Sequence, residues 1–190
     1  MITVYKDFYD SNCLKYIEEL IEESITSANL RTSYPTKNWH QKIIQESAPV
    51  MIYDLTDADI LLEPLKEIID IEGEVSFMLY YWPQHSYIPW HCDHHAKMTA
   101  TLYCNKHWAK NWGGLFLYQN EGEDMVHGEF PEWNKLVVQT SGTWHCTTPV
   151  IKPYYQVTQK DHLKTSYVPD IRTTIQIFEK REKEYWMEDV

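Results

Sequence analysis

From residue 75 onward the chain is a series of short apolar runs: "VSFMLYYW", "KMTATLYC", "GLFLYQ", "KLVVQT", "WHCTTPV" and "RTTIQIFEK". Each is rich in β-branched, aromatic and aliphatic residues, which suit a pleated, half-buried surface. Gly113, Gly114, Gly122, Pro131, Asn134, Gly142, Pro149 and Pro153 punctuate them, as turn residues do. Many short strands joined this way build an antiparallel barrel or double sheet, and a jelly roll suits them best. The first 70 or so residues read as mixed and helix-containing. "SNCLKYIEELIEESI" sets Leu14, Ile17, Leu20, Ile21 and Ile25 at helical spacing, with Ser11 or Asn12 as N-cap. Glu18, Glu19, Glu22 and Glu23 give that helix a solvated face. A second short helix is expected around "EPLKEIID", with Pro64 in its first turn and Leu65, Ile68 and Ile69 facing inward. The expected fold is mainly β with N-terminal helices on one outer sheet face. One domain would span residues 1–190, with N-terminal support over 1–72 and a jelly-roll core over 73–180. Residues 151–171 break the strand rhythm and read as an insertion loop, of a length that is usually functional or mobile.

The formal net charge is −11. An acidic surface repels phosphate backbones and anionic membranes, so neither nucleic acid nor a membrane is an expected partner. The N-terminal "MITVYKDFYDSNCLK" has no apolar stretch of signal-peptide length, and no run is long enough to span a bilayer. Cys13, Cys92, Cys104 and Cys146 show no CxxC spacing, which reads as reduced thiols in a cytoplasmic protein. The 8 Trp and 14 Tyr outnumber the 5 Phe, and their polar handles suit pocket walls.

The chemistry concentrates in "PWHCDHH", residues 89–95. In a strand, residues two apart share a face, so His91 and Asp93 can converge on one ion. Two imidazoles and one carboxylate with open positions form the facial triad of non-haem Fe(II) oxygenases. The third ligand must come from another strand, and His145 in "GTWHCTTPV" stands in such a context. His95 lies on the same face only if the strand continues, and is expected to be a pocket neighbour; His94 faces the other way. In "RTTIQIF", Arg172 and Thr174 share a face opposite Ile175 and Ile177. An arginine inside an apolar strand needs an anion, and a ligand carboxylate held by the planar guanidinium would supply one. Trp90 and Trp144 are expected to pack behind the metal. Trp108, Trp112 and Trp133 serve either packing or a recognition wall.

These blocks, "WHCD", "TATLYCNKHWAKNWGGLFLY", "PEWNKLVVQTSGTWHCTTPV" and "RTTIQIF", resemble in order and texture the Fe(II)/2-oxoglutarate-dependent oxygenases, in their prolyl 4-hydroxylase-like branch, over roughly residues 76–179. The resemblance implies a double-stranded β-helix. It implies Fe(II) bound by His91, Asp93 and His145, and 2-oxoglutarate held at its distal carboxylate by Arg172 and Tyr103. Thr174 stands where the family often has a hydroxyl residue. Tyr80 or Tyr81 would line the same pocket. The gap from His145 to Arg172 is longer than the family pattern, which leaves Lys152 as a rival anchor. The implied reaction consumes O2, decarboxylates 2-oxoglutarate to succinate and hydroxylates a C–H bond, with ascorbate as an accessory reductant. Halogenating relatives lack the carboxylate that Asp93 supplies, which points to hydroxylation. The default substrate is a prolyl residue in a peptide or protein, and a small molecule is the other choice. A zinc-dependent hydrolytic enzyme using the same triad, or a non-catalytic jelly-roll binding module, are the alternatives from other classes.

Overall fold

A computed structural model describes residues 1–25, 27–34, 47–151 and 171–180. Its strands are β1 (Ile2–Tyr5), β2 (Arg31–Ser33), β3 (Val50–Leu55), β4 (Val75–Trp82), β5 (Ile88–His91), β6 (Ala96–Tyr103), β7 (Phe116–Gln119), β8 (His127–Glu129), β9 (Leu136–Thr140), β10 (Trp144–Thr147) and β11 (Arg172–Lys180). The helices are α1 (Ser11–Ser24) and α2 (Asp59–Lys66). Lys152, His162, His40 and nearly all of the expected insertion loop lie outside the described residues.

The strands form two antiparallel sheets. The larger runs β1-β9-β6-β11-β4-β3-β2 and the smaller β5-β10-β7-β8. This is the expected jelly roll. The N-terminal region contributes more than helical support, because β1 pairs with β9 and β3 pairs with β4.

Strand alternation sorts the larger sheet into two faces. Phe77, Leu79 and Tyr81 of β4, Ala100 and Leu102 of β6, Leu136 and Val138 of β9, and Ile175 and Ile177 of β11 form one core with the helices. Into it α1 inserts Cys13, Ile17 and Ile21, and α2 inserts Leu61 and Leu65. Ile17, Leu61 and Leu65 are fully buried, each contributing about 1.5–3 kcal/mol of apolar burial. The intervening residues of the same strands face the smaller sheet. They include Tyr80, Trp82, Thr99, Thr101, Tyr103, Val137, Gln139, Arg172, Thr174, Gln176 and Phe178. Polar groups are thus gathered on the inner face of a sheet whose outer face is apolar.

Two helix details depart from the sequence expectation. Asp10, not Ser11 or Asn12, caps α1, accepting hydrogen bonds from the backbone N–H groups of Asn12 and Cys13. A carboxylate in that place also meets the positive end of the helix dipole. The second helix begins at Asp59, so Pro64 lies inside it rather than in its first turn. Proline has no N–H for the carbonyl four residues back. That carbonyl, on Ile60, accepts from Cys13 Sγ at 3.4 Å instead. The helix ends at Lys66, and Ile68 is exposed rather than inward-facing.

Candidate active site

β10 pairs with β5 so that His145 stands directly across from His91, with the ring centroids 4.1 Å apart. Asp93 follows two residues beyond His91, just past the end of β5. One potential ligand atom from each of His91, Asp93 and His145 lies within 4.8 Å of the others. His91 Nε2 is 3.6 Å from Asp93 Oδ1, and His145 Nε2 is 3.5 Å from Asp93 Oδ2. Neighbouring ligands of an octahedral ion are about 3 Å apart when each lies about 2.1 Å from the metal, so a small inward adjustment completes a facial triad.

The local backbone fixes the imidazoles. His91 Nδ1 is 2.7 Å from the Pro89 carbonyl, and His145 Nδ1 is 2.9 Å from the Thr143 carbonyl. Each carbonyl accepts the Nδ1 proton and leaves the Nε2 lone pair for a metal. Burial pushes both histidines down to about 4, with the neighbouring His145 adding to the effect at His91. Both are therefore neutral, as metal ligation requires.

A cavity of about 290 Å³ opens over the triad, and Tyr80, Trp82, Ile88, His95 and Phe178 are among its walls. His94 is exposed and lies outside the cavity lining, whereas His95 lines it, 5.8 Å from the Phe178 ring. Between the two tyrosines left open by the sequence, Tyr80 lines the cavity. Tyr81 points to the helix side, where its hydroxyl meets Ser24 Oγ at 2.6 Å.

Trp82 and Phe116 line the cavity and also screen a second polar group behind it. Arg172 is 1% exposed, with its guanidinium carbon 4.8 Å from the Trp82 ring centre and 5.4 Å from that of Tyr103. Phe116 packs with Tyr103. Arg172 Nε and Nη1 and Tyr103 Oη are all buried without a hydrogen-bond partner among the described residues. Burial pushes Tyr103 up to about 12 even though Arg172 opposes the shift, so its hydroxyl stays protonated and able to donate. Grouped donors of this kind can pair with a carboxylate. Arg172, Tyr103 and Thr174 do not themselves line the cavity. Thr174 is fully buried, and its Oγ1 accepts from Trp82 Nε1 at 2.9 Å and Gln176 Nε2 at 3.1 Å. It braces the Trp82 ring.

Glycine builds the other side of this donor group. A Cβ on Gly114 would sit 2.7 Å from Arg172 Cδ, and one on Gly113 would sit 2.0 Å from the Pro149 carbonyl oxygen. Both have positive φ, so "WGGLF" reflects close approach as well as backbone freedom.

Other sequence expectations resolve differently. Trp144 is 54% exposed on the outer face of the smaller sheet instead of packing behind the metal, because no helix among the described residues covers that sheet. Trp90 is half-buried. Trp108 packs with Val50, Ile52 and Trp82 and meets Trp112 edge-on, while Trp133 packs on the helix-side core. Packing claims these three. Gln139 escaped notice in the sequence: it lines the cavity and touches both Asp93 and His145. The available signal was a single carboxamide at the end of the apolar run "LVVQ".

The description "2OG-Fe(II) oxygenase superfamily" belongs to the family that matches residues 75–160. A comparison with curated proteins finds no match. Among solved structures, a Pseudomonas putida prolyl-4-hydroxylase is similar at TM-score 0.67 and 14% identity, covering 95% of this chain and 92% of that one. A prolyl hydroxylase from Trichoplax adhaerens, solved in complex with a hypoxia inducible factor oxygen degradation domain peptide fragment, is similar at TM-score 0.71 and 15% identity, covering 96% and 84%. A 2OG-Fe(II) oxygenase family oxidoreductase from Burkholderia pseudomallei gives TM-score 0.64 and 11% identity, covering 95% and 85%. At these identities the structures establish the fold, a double-stranded β-helix. The family match spans β4 through β10, the stretch that carries the His-Asp-His cluster, and over that stretch the chain is similar to the 2OG-Fe(II) oxygenase superfamily.

Proposed function

We propose that this enzyme hydroxylates an unactivated C–H bond, with Fe(II) held by His91, Asp93 and His145 and 2-oxoglutarate anchored by Arg172 and Tyr103. The observation that carries the reading is the pairing, inside one jelly roll, of a His-Asp-His cluster with a buried guanidinium that meets no anion among the described residues. The residues present fit the groups: two neutral imidazoles and a carboxylate suit Fe(II), and the orphaned donors suit a carboxylate. Bound together, Fe(II), 2-oxoglutarate and O2 supply an oxidant strong enough to attack a C–H bond. The protein's part is geometric. Arg172 and Tyr103 would hold the far end of the cosubstrate, Trp82 and Phe116 would shield it from water, and His91, Asp93 and His145 would hold the ion. Thr174 serves the cosubstrate indirectly, by holding Trp82. A zinc hydrolytic reading leaves Arg172 and Tyr103 without a task.

For the substrate we favour a prolyl residue in a peptide. The fold relationship to prolyl hydroxylases, one of them solved in complex with a peptide fragment, supports this choice. Apart from Asp93, the described cavity lining carries no carboxylate, lysine or arginine, which suits an uncharged side chain. The test is succinate release from 2-oxoglutarate by the Fe(II)-loaded enzyme under air, with and without proline-containing peptides and with ascorbate present. Peptide-stimulated succinate and one added oxygen on a prolyl residue by mass spectrometry are expected. Succinate formed with no peptide oxidised would direct the search to small molecules, and no succinate from metal-loaded enzyme would end the oxygenase reading.

A further inference from the structure

Gln139 is 7% exposed, and its carboxamide sits between two members of the triad. Its Nε2 donates to Asp93 Oδ2 at 3.1 Å, contacts Thr99 Oγ1, and lies 3.3 Å from His145 Nε2. These three neighbours all offer acceptor lone pairs, so the amino end of the amide belongs there and the oxygen points away. Its Oε1 is buried with no partner. When the His145 Nε2 lone pair is given to a metal, two acceptors remain, Asp93 Oδ2 and Thr99 Oγ1, for the two N–H bonds.

We infer that Gln139 is a positioning residue for the metal centre: it ties down Oδ2 of Asp93 so that the carboxylate meets the metal through one oxygen only. This rests on the reading that His91, Asp93 and His145 bind the metal. A carboxylate free to turn takes two coordination positions, and one held by a hydrogen bond keeps the opposite face open for 2-oxoglutarate and O2. Hydrogen bonds to a ligating side chain set its orientation and basicity, and their loss typically costs about 10- to 100-fold in metal affinity. Thr99, across β6 from Gln139 in register, accepts the second N–H and fixes the amide's rotation.

The test uses the full chain and Co(II) and Mn(II) as probes. Gln139→Met keeps the length of the side chain and removes the donor. Its Co(II) affinity is expected to fall by about 10- to 100-fold, and the visible Co(II) absorption of the saturated protein is expected to change as the carboxylate reorients. Thr99→Val, which keeps shape and removes the second acceptor, is expected to shift both in the same direction by less, and it serves alone if the Met variant does not fold. Wild-type affinity and an unchanged Co(II) spectrum in the folded variants would overturn the inference. Asp93→Ala separates the two levels. If it too binds metal like the wild type, the triad reading fails, whereas loss of binding in Asp93→Ala with none in Gln139→Met defeats only the role of Gln139.

Discussion

At the scale of single residues, the proposed cosubstrate site rests on Arg172. A guanidinium removed from water without a counter-ion is costly, and replacing such a group by an apolar one is often neutral or stabilising by about 1–4 kcal/mol. Arg172 is fully enclosed, and its Nε and Nη1 have no hydrogen-bond partner among the described residues. Arg172→Met should therefore leave the melting temperature unchanged or raise it, while weakening 2-oxoglutarate binding at least about tenfold, since hydrogen bonds to charged groups are each worth about 1.5–3 kcal/mol. Thermal unfolding and calorimetric titration on the same sample would show the two effects moving in opposite directions. A fall in both would mean that Arg172 is a structural residue. The cysteines make a second case at this scale. All four are buried and free, and burial raises Cys13 and Cys146 to about 11 and Cys104 to about 12. Only the thiolate is reactive. Alkylation at pH 8 should be slow in the native protein and should reach all four thiols once it is unfolded, as counted by mass spectrometry.

At the level of elements, the site depends on registers and close approaches. The β5–β10 register brings His145 across from His91, and the missing side chain of Gly114 lets Arg172 pack closely against its turn. Gly114→Ala places a methyl 2.7 Å from Arg172 Cδ at a positive φ. It should weaken 2-oxoglutarate binding with little change in metal affinity, which titration of each ligand separately would show. Ile17→Ala in α1 empties a fully buried position on the opposite face of the larger sheet. It should cost about 2–5 kcal/mol of stability by denaturant unfolding, with metal affinity unchanged. Asp10 supplies a pH-dependent share of α1 stability. Its carboxyl is held below its ordinary 3.8 by the Cys13 N–H. That stabilisation is present above 3.8 and is lost as the pH falls through the lowered value. Legibility in the sequence followed the same division. Strands read well where alternation was strong: the run 75–82 coincides with β4 and 172–180 with β11. The triad followed from period two and a distant histidine. What escaped depended on tertiary contacts. Asp10 outcompeted nearer caps, Cys13 compensated the carbonyl freed by Pro64, and the uncovered smaller sheet left Trp144 in solvent. Strands β1, β2 and β3 are short and gained definition only from the sheet they extend. Gln139 looked like one polar residue at a strand end until the opposite sheet placed Asp93 and His145 against it.

Over the whole molecule, the fold separates stability from chemistry. Helices and apolar side chains fill one face of the larger sheet, and the metal cluster, the guanidinium and the cavity lie between the two sheets. The net charge of −11 surrounds this with a negative field, which disfavours nucleic acid and favours neutral or basic peptides. Peptide-stimulated turnover should therefore be stronger for basic than for acidic peptides of equal length and should converge as salt is added, as initial rates of succinate formation would show. The central claim is that one 2-oxoglutarate molecule spans from the His91–Asp93–His145 cluster to the Arg172–Tyr103 pair behind Trp82 and Phe116. Its most direct measurement is the weak visible absorption that appears when 2-oxoglutarate binds to the Fe(II)-loaded protein without oxygen. The band should form in the wild type, fail to form in His145→Ala, and require at least about tenfold more 2-oxoglutarate in Arg172→Met. A metal-loaded wild type that gives no band, or an Arg172→Met variant that saturates at the wild-type concentration, would contradict it.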